Sequence, residues 1–136
     1  MTWRPSAVAY TQAGLDAIMG ARVRPVMLRI HSDPGAVLVL VLRRTWWPIG
    51  VTVVDHSSVD VLAPYGSNAT VSVIDDARAV VAGSVLVGAH GRASIIASTG
   101  ARVSVQDGAT CVRQDATVAA HLASERGLIL DTFPED

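Results

Sequence analysis

The chain has 136 residues, half of them hydrophobic, and a formal net charge of −1. This length suits one compact domain, and so neutral a balance provides no field to draw in nucleic acid or an anionic membrane surface. The single Cys111 excludes an internal disulfide and a Cys-based zinc site.

All 11 basic residues are Arg, a sign of GC-rich coding. The apolar residues are mostly Val, Ala, Leu and Ile, which suits strands packed around a thin core. The opening MTWRPSAVAY lacks a basic segment followed by an apolar one, so no signal peptide is expected. The most apolar run, Ala36 to Leu42, is far shorter than the ~20 residues of a spanning helix. The expectation is a soluble protein made in the cytoplasm.

In chain order, Ser6 to Gly20 reads as a helix capped by Ser6 and ended by Gly20, with Val8, Leu15, Ile18 and Met19 on one face. Residues 1–24 thus form an arm and helix. RPVMLRI is a strand and Ser32 to Gly35 a turn. Ala36 to Leu42 is apolar at every position, as expected of a strand buried on both sides. RRTWWPIG is a loop and VTVVD another strand, so residues 25–60 form a β cap or a first set of irregular coils.

From Val61 the chain falls into rows of eight: VLAPYGSN, ATVSVIDD, ARAVVAGS, VLVGAHGR, ASIIASTG, ARVSVQDG, ATCVRQDA. Positions 1, 3 and 5 are small and apolar, apart from Tyr65 and Arg113; positions 7 and 8 collect Gly, Asp, Ser, Asn and Thr. A short one-sided strand followed by a tight corner, repeated without long connections, describes a β-solenoid. An antiparallel meander needs an Asn-Gly or Asp-Gly turn each time, and only Asp107–Gly108 supplies one. Inward Ala and Val suit a thin, two-sided coil of sixteen residues better than a triangular one. The fold class is therefore all-β, a solenoid with two octads per coil over residues 61–116 and a C-terminal cap and tail over 117–136. Arg113 in an inward column, and the early return of ATV at Ala116–Val118, mark the end of the regular array.

In a two-sided coil, alternate octads stack. One outer face then carries Pro64, Val80, Ile96 and Val112, an aliphatic stripe; the other carries Ser72, Gly88 and Ser104. An exposed aliphatic stripe marks a contact surface, so Val80, Ile96 and Val112 are the candidate residues for self-association, with a trimer around a threefold axis as the expected form.

Candidates for chemistry are weak. Asp55–Ser58 holds the residue types of a hydrolase triad, but adjacent strand residues point to opposite faces and a turn is the simpler reading. His31, His56, His90 and His121 lack ligand spacing, and the acids of Ile74–Ala77 and Asp107–Gly108 fit corners better than calcium loops. Cys111 falls in an inward column. No catalytic residue, cofactor or metal is expected. Arg43, Arg44, Trp46 and Trp47 form the densest basic-aromatic cluster, which suits docking on a larger assembly or, as the alternative, binding of a glycan or single-stranded nucleic acid.

ATVSVIDD, ARVSVQDG and ATCVRQDA resemble the Ala-Thr-Val-type octapeptide repeats of actinobacterial phage and host proteins, over nearly half the chain. YTQAGLDAIMG followed by LRIHSDPG resembles the opening of phage virion proteins. These resemblances imply a non-enzymatic, virion-associated structural protein: a capsid decoration, minor capsid or tail component. The solenoid acyltransferases repeat every six residues, which does not fit this register.

Overall fold

The computed structural model describes residues 6–43 and 45–133. The regular elements are β1 (Ser6–Ala9), α1 (Gln12–Met19), β2 (Met27–Ile30), β3 (Val37–Val41), β4 (Gly50–Val53), β5 (Ser58–Ala63), β6 (Thr70–Val73), β7 (Arg78–Gly83), β8 (Leu86–Ala89), β9 (Ser94–Ser98), β10 (Arg102–Val105), β11 (Thr110–Arg113), β12 (Ala119–Leu122) and β13 (Leu128–Asp131). Strands alternate between two sheets. The first runs β1-β2-β4-β6-β8-β10-β12 and the second β13-β11-β9-β7-β5-β3. Neighbouring strands are parallel throughout, as in Thr70↔Leu86↔Arg102 and Arg78↔Ser94↔Thr110. This is a flattened β-solenoid with sixteen residues per coil in its regular part, and not a meander.

The inward residues explain the flattening. Val71, Val73, Val87, Ala89, Val103 and Val105 of the first sheet meet Ala79, Val81, Ile95, Ala97 and Cys111 of the second, all at most 3% exposed. The octads' first residues, Ala77, Val85, Ala93, Ala101 and Ala109, fill the corners and are equally buried. Earlier coils are longer: Met27 pairs with Gly50 and Gly50 with Thr70. Their larger interior is filled by Leu28, Ile30, Leu38, Leu40 and Ile49.

Position 7 of the octad turns the corner. Asp75, Gly83, Gly91, Thr99 and Asp107 all have positive φ. Asp and Gly tolerate this left-handed backbone, which lets the chain reverse in a few residues. The carboxylates also tie coil to coil: Asp55 N–H donates to Asp75 Oδ2 at 3.0 Å, Gly91 N–H to Asp107 Oδ2 at 3.0 Å, and Thr99 N–H to Asp115 Oδ2 at 2.9 Å.

Several expectations need correction. Ser6 does not start a helix: residues 6–9 pair in parallel with Met27–Ile30, and the helix starts later, with Thr11 as its cap accepting from Gly14 N–H at 3.1 Å. Val8 therefore leaves the expected helical face and points outward from a strand. The run at 36–42 is a strand buried on one side only, since Val37 and Val39 are exposed while Leu38, Leu40 and Leu42 are buried. The regular phase begins at Ala69 and not Val61. Residues 64–68 extend their corner, so that Val61 stacks on Val81, twenty residues ahead. The regular sixteen-residue spacing does end near Asp115, but the solenoid continues: β12 and β13 add a longer, irregular coil in parallel register with β10 and β11, Arg102 pairing with Ala119 and Thr110 with Leu128. Arg113 is accommodated inside that coil, its Nε donating to the Val118 carbonyl at 3.1 Å and its Nη1 pairing with Asp131 at 3.1 Å.

A candidate self-association face

The outward residues of each sheet stack into columns, because parallel strands in register place equivalent positions one above the next. On the first sheet one column reads Val8, Arg29, Thr52, Ser72, Gly88, Ser104 and His121. This is the polar face that the octads imply. Gly88 leaves a shallow dent there of about 470 Å³, bordered by Leu86, Arg102 and His121.

The second sheet differs. Its central column reads Val39, Asp60, Val80, Ile96, Val112 and Leu130. Val80, Ile96 and Val112 stack directly on one another. Pro64 does not join them, because β5 ends at Ala63 and Asp60 takes the rung beside Val80. Aliphatic residues also flank the column: Val37 and Leu128 on one side, Val41 and Leu62 on the other. Six of the 14 large hydrophobic side chains exposed on the described residues (Val37, Val39, Leu62, Val80, Leu128 and Leu130) lie on this one face. The first sheet's outer surface holds three, Val8, Met27 and Leu86, so the apolar surface is concentrated on one side.

Two charges interrupt the face. Asp60 is half-buried between Val39 and Val80, and Arg78 stands exposed in the flanking column beside Ser58 and Ser94. Among the described residues neither has an ion-pair partner; the pairs are His31–Asp55, Arg92–Asp76 and Arg113–Asp131. Arg78 and Arg92 border an open polar groove that also takes in His56, Ser58 and Ser94.

The basic-aromatic cluster is assembled in part, with Arg43 and Trp47 bordering one cleft and Trp46 exposed. Trp47 is 6% exposed, part of the core, and its indole N–H donates to the Pro25 carbonyl at 2.9 Å. Trp46 is exposed, with the Arg24 guanidinium over its ring at 5.2 Å and over Trp47 at 5.9 Å. Arg43 is exposed and borders a cleft between α1 and β3; Arg44 lies outside the described residues. Arg24 was not among the sequence candidates, and no local signal marks it, since its partners lie more than twenty residues away.

The turn at Asp55–Ser58 disperses its polar groups. Asp55 pairs with His31 at 2.7 Å, and the Tyr10 ring stands 5.8 Å from the His31 ring. Ser57 is buried, its Oγ accepting from Ser32 N–H at 2.9 Å. Among the described residues no group of three or more His, Cys, Asp and Glu is placed to hold a metal ion, and no helix is long and apolar enough to cross a membrane. Burial pushes the Cys111 thiol up to about 11, so it stays protonated. Compared with known proteins, the chain matches no family model, no curated protein and no solved structure.

Proposed function

We propose that the protein is a non-enzymatic structural subunit that self-associates through the outer face of the second sheet. The observation that carries this reading is the in-register stack Val80, Ile96 and Val112, extended by Val39 and Leu130. Covering such a face removes apolar surface from water at roughly 25 cal/mol per Å². Six strands about 4.8 Å apart, each about 16 Å long, present a plate of roughly 400 Å² in projection. Two plates overlapping along their whole length bury at most about 1,000 Å² of accessible surface, the low end for a specific contact, and a partial overlap buries less. The pair therefore forms reversibly and depends on concentration.

A single flat patch suits a two-fold axis, which uses the same surface on both subunits. A threefold assembly needs two different complementary patches. The resemblance of the octads and of the N-terminal segment to phage proteins supports a place in a virion, as a capsid decoration, minor capsid or tail component. There, a rigid plate with one apolar face strengthens joints between subunits.

Size-exclusion chromatography with light scattering tests the reading. The wild type is expected to shift from monomer toward dimer as concentration rises. Ile96→Asp is expected to stay monomeric with an unchanged thermal melt, and Ser104→Asp on the polar face to behave as wild type. Val80→Asp, near the middle of the stripe, serves if Ile96→Asp folds poorly. A wild type that is monomeric throughout, or an Ile96→Asp variant that pairs normally, overturns the reading.

A further inference from the structure

We infer that the self-association is a two-fold pairing whose register is fixed by reciprocal ion pairs between Asp60 of one subunit and Arg78 of the other. This inference rests on the face proposed above and adds its occupant, symmetry and register.

Neither charge is ion-paired on its own face among the described residues. Asp60 and Arg78 sit on adjacent strands, β5 and β7, but two residues apart in register, since Asp60 stacks on Val80 and Arg78 on Ser58. Covering the stripe with any partner takes Asp60 further from water, between Val39 and Val80. A buried carboxylate without a counter-charge opposes such a contact strongly. A partner that brings a cation to Asp60 and an anion to Arg78 offsets that cost, and a second copy of this chain carries both.

The geometry allows it. A two-fold axis parallel to the strands and passing between β5 and β7 lays β3, β5, β7 and β9 on their copies in reverse order, with β11 and β13 extending past the partner's β3. Asp60 then faces the partner's Val80, and the partner's Arg78 stands opposite Ser58. Ser58 lies two residues along β5 from Asp60, about 7 Å, a gap that an arginine side chain spans. The small Ser58 leaves room for the guanidinium to cross. Symmetry makes the same contact a second time. Moving the axis one strand along, between β7 and β9, sets Asp60 against the partner's Val112 and leaves both charges unpaired. Charge thus selects one register where the aliphatic columns alone allow several.

A charge-swap series followed by sedimentation equilibrium tests this. Asp60→Arg and Arg78→Asp are each expected to weaken self-association about tenfold or more, since each places like charges together twice. An equimolar mixture of the two single variants is expected to pair again at near wild-type strength, because in the mixed dimer both contacts are of opposite sign. The double variant D60R/R78D is expected to recover likewise. Failure of the mixture to pair, single variants that pair like wild type, or a wild-type assembly that is trimeric overturns the inference. Ile96→Asp separates the two levels. If it is monomeric while the charge variants behave as wild type, the face stands and the register falls. If it pairs normally, the face itself falls. Thermal melts establish that each variant is folded.

Discussion

The carboxamide of Gln12 makes to Val39 both hydrogen bonds that a neighbouring strand would make. Its Oε1 accepts from Val39 N–H at 2.7 Å and its Nε2 donates to the Val39 carbonyl at 3.0 Å. The second sheet ends at β3 on this side, and α1 packs where the next rung would lie. An open strand edge invites pairing with other chains; here a helix with one well-placed side chain covers its middle. Gln12→Leu is expected to lower stability by about 1–2 kcal/mol, since two backbone groups lose their partners. Gln12→Glu loses the donor and sets a carboxylate against a carbonyl, and is expected to cost at least as much. Urea denaturation of both variants checks this; no change in midpoint contradicts it.

Corner residues respond to backbone geometry more than to contacts. Thr99 holds φ of 58°, a conformation that a β-branched residue adopts at a cost. Thr99→Gly is expected to raise stability by about 0.5–1 kcal/mol. Gly83 is the opposite case: at φ of 113°, an added Cβ would lie 2.2 Å from the Ala63 carbonyl oxygen. Gly83→Ala is expected to destabilise by about 3 kcal/mol or more, because strand backbone must move. Denaturant midpoints of the two variants are expected to shift in opposite directions.

Trp46 and Trp47 are adjacent in the chain but differ in environment. Trp47→Ala removes a buried ring and orphans the Pro25 carbonyl, with an expected cost of about 3–5 kcal/mol. Trp46→Ala is expected to cost about 1 kcal/mol or less, from the loss of its Arg24 contact. Equal losses for the two would contradict the placement of Trp47 in the core.

Two groups set opposite limbs of the pH profile. The Asp115 carboxyl is held below its ordinary 3.8, chiefly by the Thr117 hydroxyl and then by the Thr99 N–H. A depressed carboxyl contributes stability that is present above 3.8 and is lost as pH falls through its lower folded value. Cys111 works from the other side. The unfolded thiol ionises near 9.0, while the folded one resists until about 11, so stability declines as pH rises across that interval. Asp115→Asn is expected to flatten the acid limb and Cys111→Ala the alkaline one, read from thermal midpoints against pH. Cys111 is also expected to ignore thiol reagents at pH 8 until the chain unfolds.

Much of this architecture was legible in the octads because a solenoid repeats its environment. From Ala69 to Gly108, position 1 is a corner, 3 and 5 point inward and 7 turns, so composition at each position reports structure. The phase before Ala69 was not legible. The corner at residues 64–68 lengthens its coil by four, an even number, so Val61 and Ala63 still point inward while their neighbours change. Alternation survives such an insertion, so the octads align Pro64 with Val80 where the coil places Asp60. Ser6–Ala9 fits either a helix or a strand by pattern, and only its pairing with Met27–Ile30 decides. Trp47 is buried by a carbonyl 22 residues away in sequence, which no local pattern reports.

The inert Cys111 allows the central claim to be tested by distance. A nitroxide attached to Ser94→Cys lies on the outer face of the second sheet, and one on Ser72→Cys lies on the first. Packed sheets lie about 10 Å apart, so face-to-face pairing through the second sheet is expected to give label separations under about 30 Å for the Ser94 variant, and clearly longer ones for the Ser72 variant. Double electron–electron resonance measures both. No dipolar signal above background for Ser94→Cys at concentrations that favour the pair, or a shorter distance for Ser72→Cys, would contradict the account.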